Sequence, residues 1–157
     1  MSQGQDATQN IQALSQQLQE LDEVQGQLQE QLEAALTRQH EVSAAIESLE
    51  AIETDSRVQV PLGGDAYVKA DIVDIDEVIV KIGSDYAAEQ SRDDAISILE
   101  ERSDRIGEQI NELRESLDQV DANIQQAESQ AQQLREQMIM QQAEQQLGGM
   151  GMGGEDI

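Results

Sequence analysis

Residues 57–89 read RVQVPLGGDAYVKADIVDIDEVIVKIGSDYAAE, and this stretch decides the fold. Val58, Val60 and Leu62 alternate with Gln59 and Pro61, the period of two that belongs to a strand. Gly63-Gly64-Asp65 supplies a turn, and Ala66 to Val73 returns. Asp74-Ile-Asp-Glu77 makes a second connection, after which Val78 to Ile82 runs into Gly83-Ser-Asp85 and Tyr86-Ala-Ala88. Two β-hairpins in series are predicted. Pro61 has no N–H to give to a ladder, which puts its strand at an edge or beside a bulge. Tyr67 and Tyr86 are the whole aromatic complement, so two such hairpins are marginal alone. Their free edges need partners. The insert reads as an oligomerisation platform.

On either side the pattern changes to heptads. From residue 11 to 55, Ile11, Leu14, Leu18, Leu21, Gln25, Leu28, Leu32, Ala35, Gln39, Val42, Ile46 and Leu49 alternate steps of three and four. From residue 91 to 146, Ile96, Leu99, Ser103, Ile106, Ile110, Leu113, Leu117, Val120, Ile124, Ala127, Ala131, Leu134 and Met138 do the same. A repeat of this period with polar flanks predicts left-handed coiled coil. Nearly equal arms around a compact insert can fold back as an antiparallel hairpin. One register pairs Leu49 with Ile96, Leu28 with Leu117 and Ile11 with Leu134, and sets Gln25 against Val120, Gln39 against Ile106 and Ser103 against Val42. A slip of one heptad packs less well, setting Glu53 against Leu99 and Ile11 against Gln141. The expected class is α+β: a long antiparallel coiled-coil hairpin carrying two central β-hairpins, with residues 1–10 a flexible N-terminus and 147–157 a disordered Gly/Met tail.

Composition narrows the function. The 157 residues hold 33 Asp and Glu against 9 Lys and Arg, a formal charge of -24. Such a surface repels phosphate backbones, which disfavours nucleic acid as a partner. No apolar run approaches a membrane span, and the first residues lack the basic and apolar regions of a signal peptide. The expected location is the cytosol. Without cysteine there is no disulfide framework and no thiolate metal site. The excess of acids also suggests a proteome adapted to high salt.

No catalytic constellation emerges. His40 is the single histidine and neighbours Gln39 on a helix, where a solvated surface role outweighs catalysis or metal binding. Asp71, Asp74, Asp76 and Glu77 resemble a calcium loop only loosely, because counting from Asp74 puts Ile79 where Gly is needed and Asp85 where Glu is needed. A charged turn is the better reading. Gly63-Gly64 is followed by no Gly-Lys-Ser/Thr, so it is no phosphate loop. Gly26 and Gly107 lie off the seam without an evident role. The chain is expected to be no enzyme and to need no cofactor or metal.

An antiparallel hairpin would bring both chain termini to the end remote from the strands. Ile11, Leu14, Met138, Ile139, Met140 and Leu147 would collect there, with Met150 and Met152 on the tail. Met138-Ile-Met140 is continuous around a helix, more than a two-helix seam can bury. A frayed coil end accounts for any one of these residues; as a set they favour an apolar ligand, and methionine adapts to irregular partners.

Val60-Pro-Leu-Gly-Gly64 with Tyr67-Val-Lys-Ala70, and Val78-Ile-Val-Lys-Ile-Gly83 leading to Tyr86 and Glu89, resemble the paired hairpins of archaeal prefoldin alpha subunits. Flanking heptads of matching length extend the resemblance over about residues 10–146. It implies a hexamer of two alpha and four beta subunits, whose hairpins form a double β-barrel from which coiled coils hang. It also implies capture of unfolded polypeptide clients at the tips without ATP, and delivery to a group II chaperonin. Carried onto this sequence, Val58, Val60, Leu62, Tyr67, Val68, Val78, Val80, Ile82 and Tyr86 become the expected platform residues, with alternation letting only part of the set face the barrel core. Ile11, Leu14, Met138, Ile139, Met140 and Leu147 become the expected client contacts. Two other readings remain: a structural coiled-coil tether, and an acidic regulator that sequesters a basic partner and releases it in high salt.

Overall fold

The computed structural model describes the backbone of residues 2–152 and the side chains of residues 5–147. In chain order the elements are α1 (Ser2–Ala51), β1 (Arg57–Gly63), β2 (Ala66–Asp71), β3 (Val78–Lys81), β4 (Ala87–Gln90) and α2 (Arg92–Met152). They divide into two compact units, the first Met1–Leu32 with Leu113–Ile157 and the second Glu33–Glu112.

In the second unit α1 ends at Ala51, and Asp55, four residues on, adopts a positive φ of 66°. Ser56 Oγ accepts from the Glu53 N–H at 3.0 Å, and the Asp55 N–H donates to the Ile72 carbonyl at 2.8 Å, so the chain turns straight into the first hairpin. β1 and β2 pair antiparallel with Val58 opposite Ala70 and Val60 opposite Val68. The register shifts between Pro61 and Gly63, a bulge at the proline that cannot donate. Gly63, Gly64 and Asp65 all take positive φ (98°, 59° and 62°), a conformation Gly adopts freely and Asp tolerates. β3 and β4 form a separate two-stranded sheet with Val78 opposite Gln90 and Val80 opposite Ala88. α2 then opens with Ser91 as its cap: Ser91 Oγ accepts from the Asp94 N–H at 3.3 Å, and Asp93 and Asp94 lie in the first turn, where the helix dipole favours them.

The heptad seam is the core of both units. Every seam position named above is buried or half-buried, including Ala35, Leu99, Ile106, Ile110, Leu113, Ala127 and Ala131, which are buried. Most other helical positions are exposed. Gln25 fixes the register of the first unit by donating its Nε2 to Asp121 at 2.5 Å. The expected register puts Gln25 against Val120, the neighbour of Asp121; the slipped one would bring it near Ala127. In the second unit Gln39 agrees. A Cβ placed on Gly107, next to Ile106, would lie 3.6 Å from Gln39 Nε2, so the bare Gly107 backbone leaves room for that amide at the seam.

The helices exceed the heptads at both ends. α1 begins at Ser2, where a flexible stretch to residue 10 was expected, and α2 continues through Met152, into the tail expected to be disordered. Propagating an existing helix adds one hydrogen bond per residue fixed, so short flanks follow the turns they adjoin. Met1, residues 153–157 and the side chains of Met150 and Met152 lie outside the described residues. No helix among the described residues is long and apolar enough to cross a membrane.

Candidate functional site

Two surfaces present unpaired apolar residues, one in each unit. In the second unit the first hairpin is amphipathic. Val58, Val60, Val68 and Ala70 share one face, because they pair across the strands at matching parity. The other face carries the exposed Arg57–Asp71 ion pair, 3.2 Å apart, then Gln59 opposite Lys69 and Pro61 opposite Tyr67. Val58 and Ala70 are half-buried, whereas Val60, Leu62, Tyr67 and Val68 are exposed.

The second hairpin is different. Val80 is only 6% exposed, and it lines a groove of about 350 Å³ with Val78, Ala45, Leu49 and Leu99. Arg102 of α2 donates Nη2 to the Lys81 carbonyl and so fastens β3 to the helix. Arg92 likewise donates Nη2 to the Ile52 carbonyl, just beyond the end of α1. Val78 and Val80, two of the expected platform residues, therefore belong to the chain's own packing. Outward points Ile79, 71% exposed, with Lys81, Ala87 and Glu89 on its face. Ile82 and Tyr86 are exposed beyond it, in a turn closed by the Ile82 N–H donating to the Tyr86 carbonyl at 2.8 Å. Val73, in the connection between the hairpins, is 86% exposed.

Ile79 and Val73 are thus open apolar positions absent from the expected set. Alternation could not single out Ile79, because Val78-Ile-Val80 is apolar on both faces and only a tertiary contact tells them apart.

In the first unit the six expected client contacts split evenly. Ile11, Leu14 and Met138 are half-buried in the seam. Ile139, Met140 and Leu147 stand clear of it, at 66%, 70% and 70% exposure. The same unit has a groove of about 440 Å³ lined by Ala13, Leu14 and Leu134 together with amide side chains. A second groove, about 430 Å³, shares Asn10, Leu134 and Gln137 with the first and adds Asp6, Ala7, Met138 and Gln141.

Neither surface offers a basic patch, and the described residues contain no group of three or more His, Cys, Asp or Glu side chains able to hold a metal ion. His40 is exposed on α1. What these surfaces can do is bind: one presents strand edges and aliphatic side chains, the other an apolar furrow edged by amides.

A sequence-family model described as prefoldin subunit matches residues 15–137. The prefoldin alpha subunit of Haloarcula marismortui is 42% identical over 87 residues, covering 55% of this chain and 56% of that protein. That of Halorubrum lacusprofundi is 48% identical over 77 residues, covering 49% and 51%. That of Pyrococcus horikoshii is 34% identical over 100 residues, covering 63% and 68%. The chain spans about half the length of the two haloarchaeal relatives it matches here. Among solved structures, filamentous PFD from Methanocaldococcus jannaschii, seen by cryo-EM, aligns with a TM-score of 0.52 at 21% identity. The alignment covers 77% of this chain and 97% of that one, and shows a shared fold.

Proposed function

The chain belongs to the prefoldin family, and we propose that it works in the cytosol as an alpha-type subunit of an ATP-independent holding chaperone. In this reading its hairpins join beta-type subunits in a hexamer of two alpha and four beta chains. The free end of the first unit holds unfolded polypeptide until a group II chaperonin takes it. One observation carries the holding role: the seam buries its own heptads, yet Ile139, Met140 and Leu147 remain largely exposed beside it. Exposed apolar side chains in a set favour contact with another apolar surface. Several weak contacts of this kind around one client give avidity while each stays quickly reversible. The acidic remainder keeps a laden complex soluble.

Removing residues 1–14 and 138–157 tests this directly. The truncated chain, assembled with its partner subunits, should keep the native mass expected of the hexamer and lose suppression of client aggregation. Undiminished suppression would reject the holding site. A complex that never contains a second kind of subunit would favour a structural tether instead.

A further inference from the structure

Among the described residues each hairpin is a separate two-stranded sheet, which leaves β1 and β3 each with one free edge. The ladders show which groups lie on those edges. The Ile72 N–H donates to the Ser56 carbonyl at 2.9 Å, one rung beyond Arg57 and Asp71. Bonded and open rungs alternate in an antiparallel pair, so Val58–Ala70 and Val60–Val68 are bonded rungs. Arg57, Gln59 and Pro61 therefore turn their main chain to the free edge. In the second hairpin the Ile82 N–H donates to the Tyr86 carbonyl, in the register that sets Val80 opposite Ala88. The same alternation leaves Ile79 and Lys81 on the free edge. At both edges the group nearest the turn is withdrawn. Pro61 has no N–H to offer, and the Lys81 carbonyl already accepts from Arg102 Nη2. Leu99 of α2 lines the groove with Val80, and Arg102 follows one turn later in the same groove. The packing that buries Val80 thus brings the guanidinium to the strand edge.

We infer that Pro61 and Arg102 are register stops for strand addition: a strand of a neighbouring subunit bonds to these edges at Arg57, Gln59 and Ile79 and ends short of both turns. The inference rests on the assembly proposed above and names the residues that fix how its strands meet. A free strand edge is a template for another strand, and edge proline is one way in which proteins limit that pairing. Side-chain alternation rejects a slip of one residue, because the incoming strand's apolar face would leave the face of Val58 and Val60. A slip of two residues keeps every face and goes unopposed by hydrophobicity. Only the main chain can reject it. Sliding toward the turns needs an N–H at Pro61 and an unoccupied carbonyl at Lys81, and the chain offers neither. Strands that close on one another require a fixed stagger, and one stop on the first strand of each hairpin supplies it.

Amide-resolved deuterium exchange tests the stops, on the full chain alone and in complex with its partner subunits in concentrated KCl. On assembly the Arg57, Gln59 and Ile79 amides should slow by about tenfold, the equivalent of a net hydrogen bond. The Lys81 amide should keep its free-chain rate. Arg102→Met leaves an apolar stem in the groove and removes the donor, so in that complex the Lys81 amide should slow as well. Pro61→Val lies on the exposed first hairpin, away from the helices, and restores the missing N–H. The restored amide at position 61 should slow on assembly. Circular dichroism checks the fold of each variant, and the wild-type pattern is read independently of both. A Lys81 amide protected as strongly as Ile79 in the wild-type complex would overturn the inference. So would variant complexes in which neither the Lys81 amide nor the amide at position 61 slows. A complex of the expected native mass in which Arg57, Gln59 and Ile79 all keep their rates would overturn strand addition at these edges and leave the assembly standing. A chain that never joins a second kind of subunit would overturn the assembly and the stops together.

Discussion

The two faces of β3 make opposite predictions. Val80 is buried against the helices, so Val80→Ala removes two methylene-equivalents from the chain's own core. At about 0.8 kcal/mol each, with a small cavity added, this costs roughly 1.5–2.5 kcal/mol of stability. Assembly with partner subunits should survive wherever the chain is folded. Ile79 is 71% exposed, so Ile79→Asp leaves the isolated chain's stability nearly unchanged. If a partner covers that face, the substitution forfeits about two thirds of a fully buried isoleucine, roughly 1–2 kcal/mol. Enclosing an unpaired carboxylate adds several kcal/mol more. A total near 4 kcal/mol is about a thousandfold in each subunit contact. Native mass spectrometry of the co-expressed subunits in concentrated KCl reads assembly, and far-UV circular dichroism melts read stability. An Ile79→Asp chain that assembles as wild type would refute the claim that the outward face of β3 is an interface.

Gly26→Ala and Gly107→Ala should each stabilise the chain by about 1 kcal/mol, since both lie inside helices and Gly is the poorer helix former. A Cβ at Gly26 meets nothing within 4 Å, and at Gly107 it meets Gln39 at ordinary contact distance. Melting midpoints should rise by roughly 2–4 °C, and a fall at Gly107 would show that Gln39 needs the space. Stability should also climb with salt. Nine basic side chains face 33 acids, and the Arg57–Asp71 pair is too exposed to offset their repulsion. Screening tightens from about 10 Å at 0.1 M to about 3 Å at 1 M, so the melting midpoint should rise steeply over that range. A midpoint independent of KCl would mean that the acids are spaced widely enough not to interact.

The coiled coil was legible because its signal is one-dimensional. Each seam residue is fixed by its place in the chain, and all of them, from Ile11 to Leu49 and from Ile96 to Met138, turn out buried or half-buried. The hairpins were legible for the same reason: Gly63-Gly64-Asp65 demands a turn, and Pro61 demands the bulge that the ladder shows. The register needed one more step, since a heptad repeat matches itself after every seven residues. Gln25 marks which one is adopted, because its amide meets Asp121 in one register and would lie near Ala127 in the slipped one. Polar residues at seam positions, here Gln25, Gln39 and Ser103, are a usual device for specifying coiled-coil register.

Side chains whose roles depend on a neighbouring element were not legible. Val78, Ile79 and Val80 are equivalent in hydrophobicity, and only Ala45, Leu49 and Leu99 decide which of them faces inward. The six apolar residues of the first unit divide in the same way: Ile11, Leu14 and Met138 lie half-buried on the seam, whereas Ile139, Met140 and Leu147 are exposed. A composition total hid the rest. A charge of -24 describes the whole chain and conceals its uneven placement: residues 7–19 carry none of it, whereas residues 20–23 hold three acids, so the mutual repulsion that salt must screen is concentrated away from the first turns of α1.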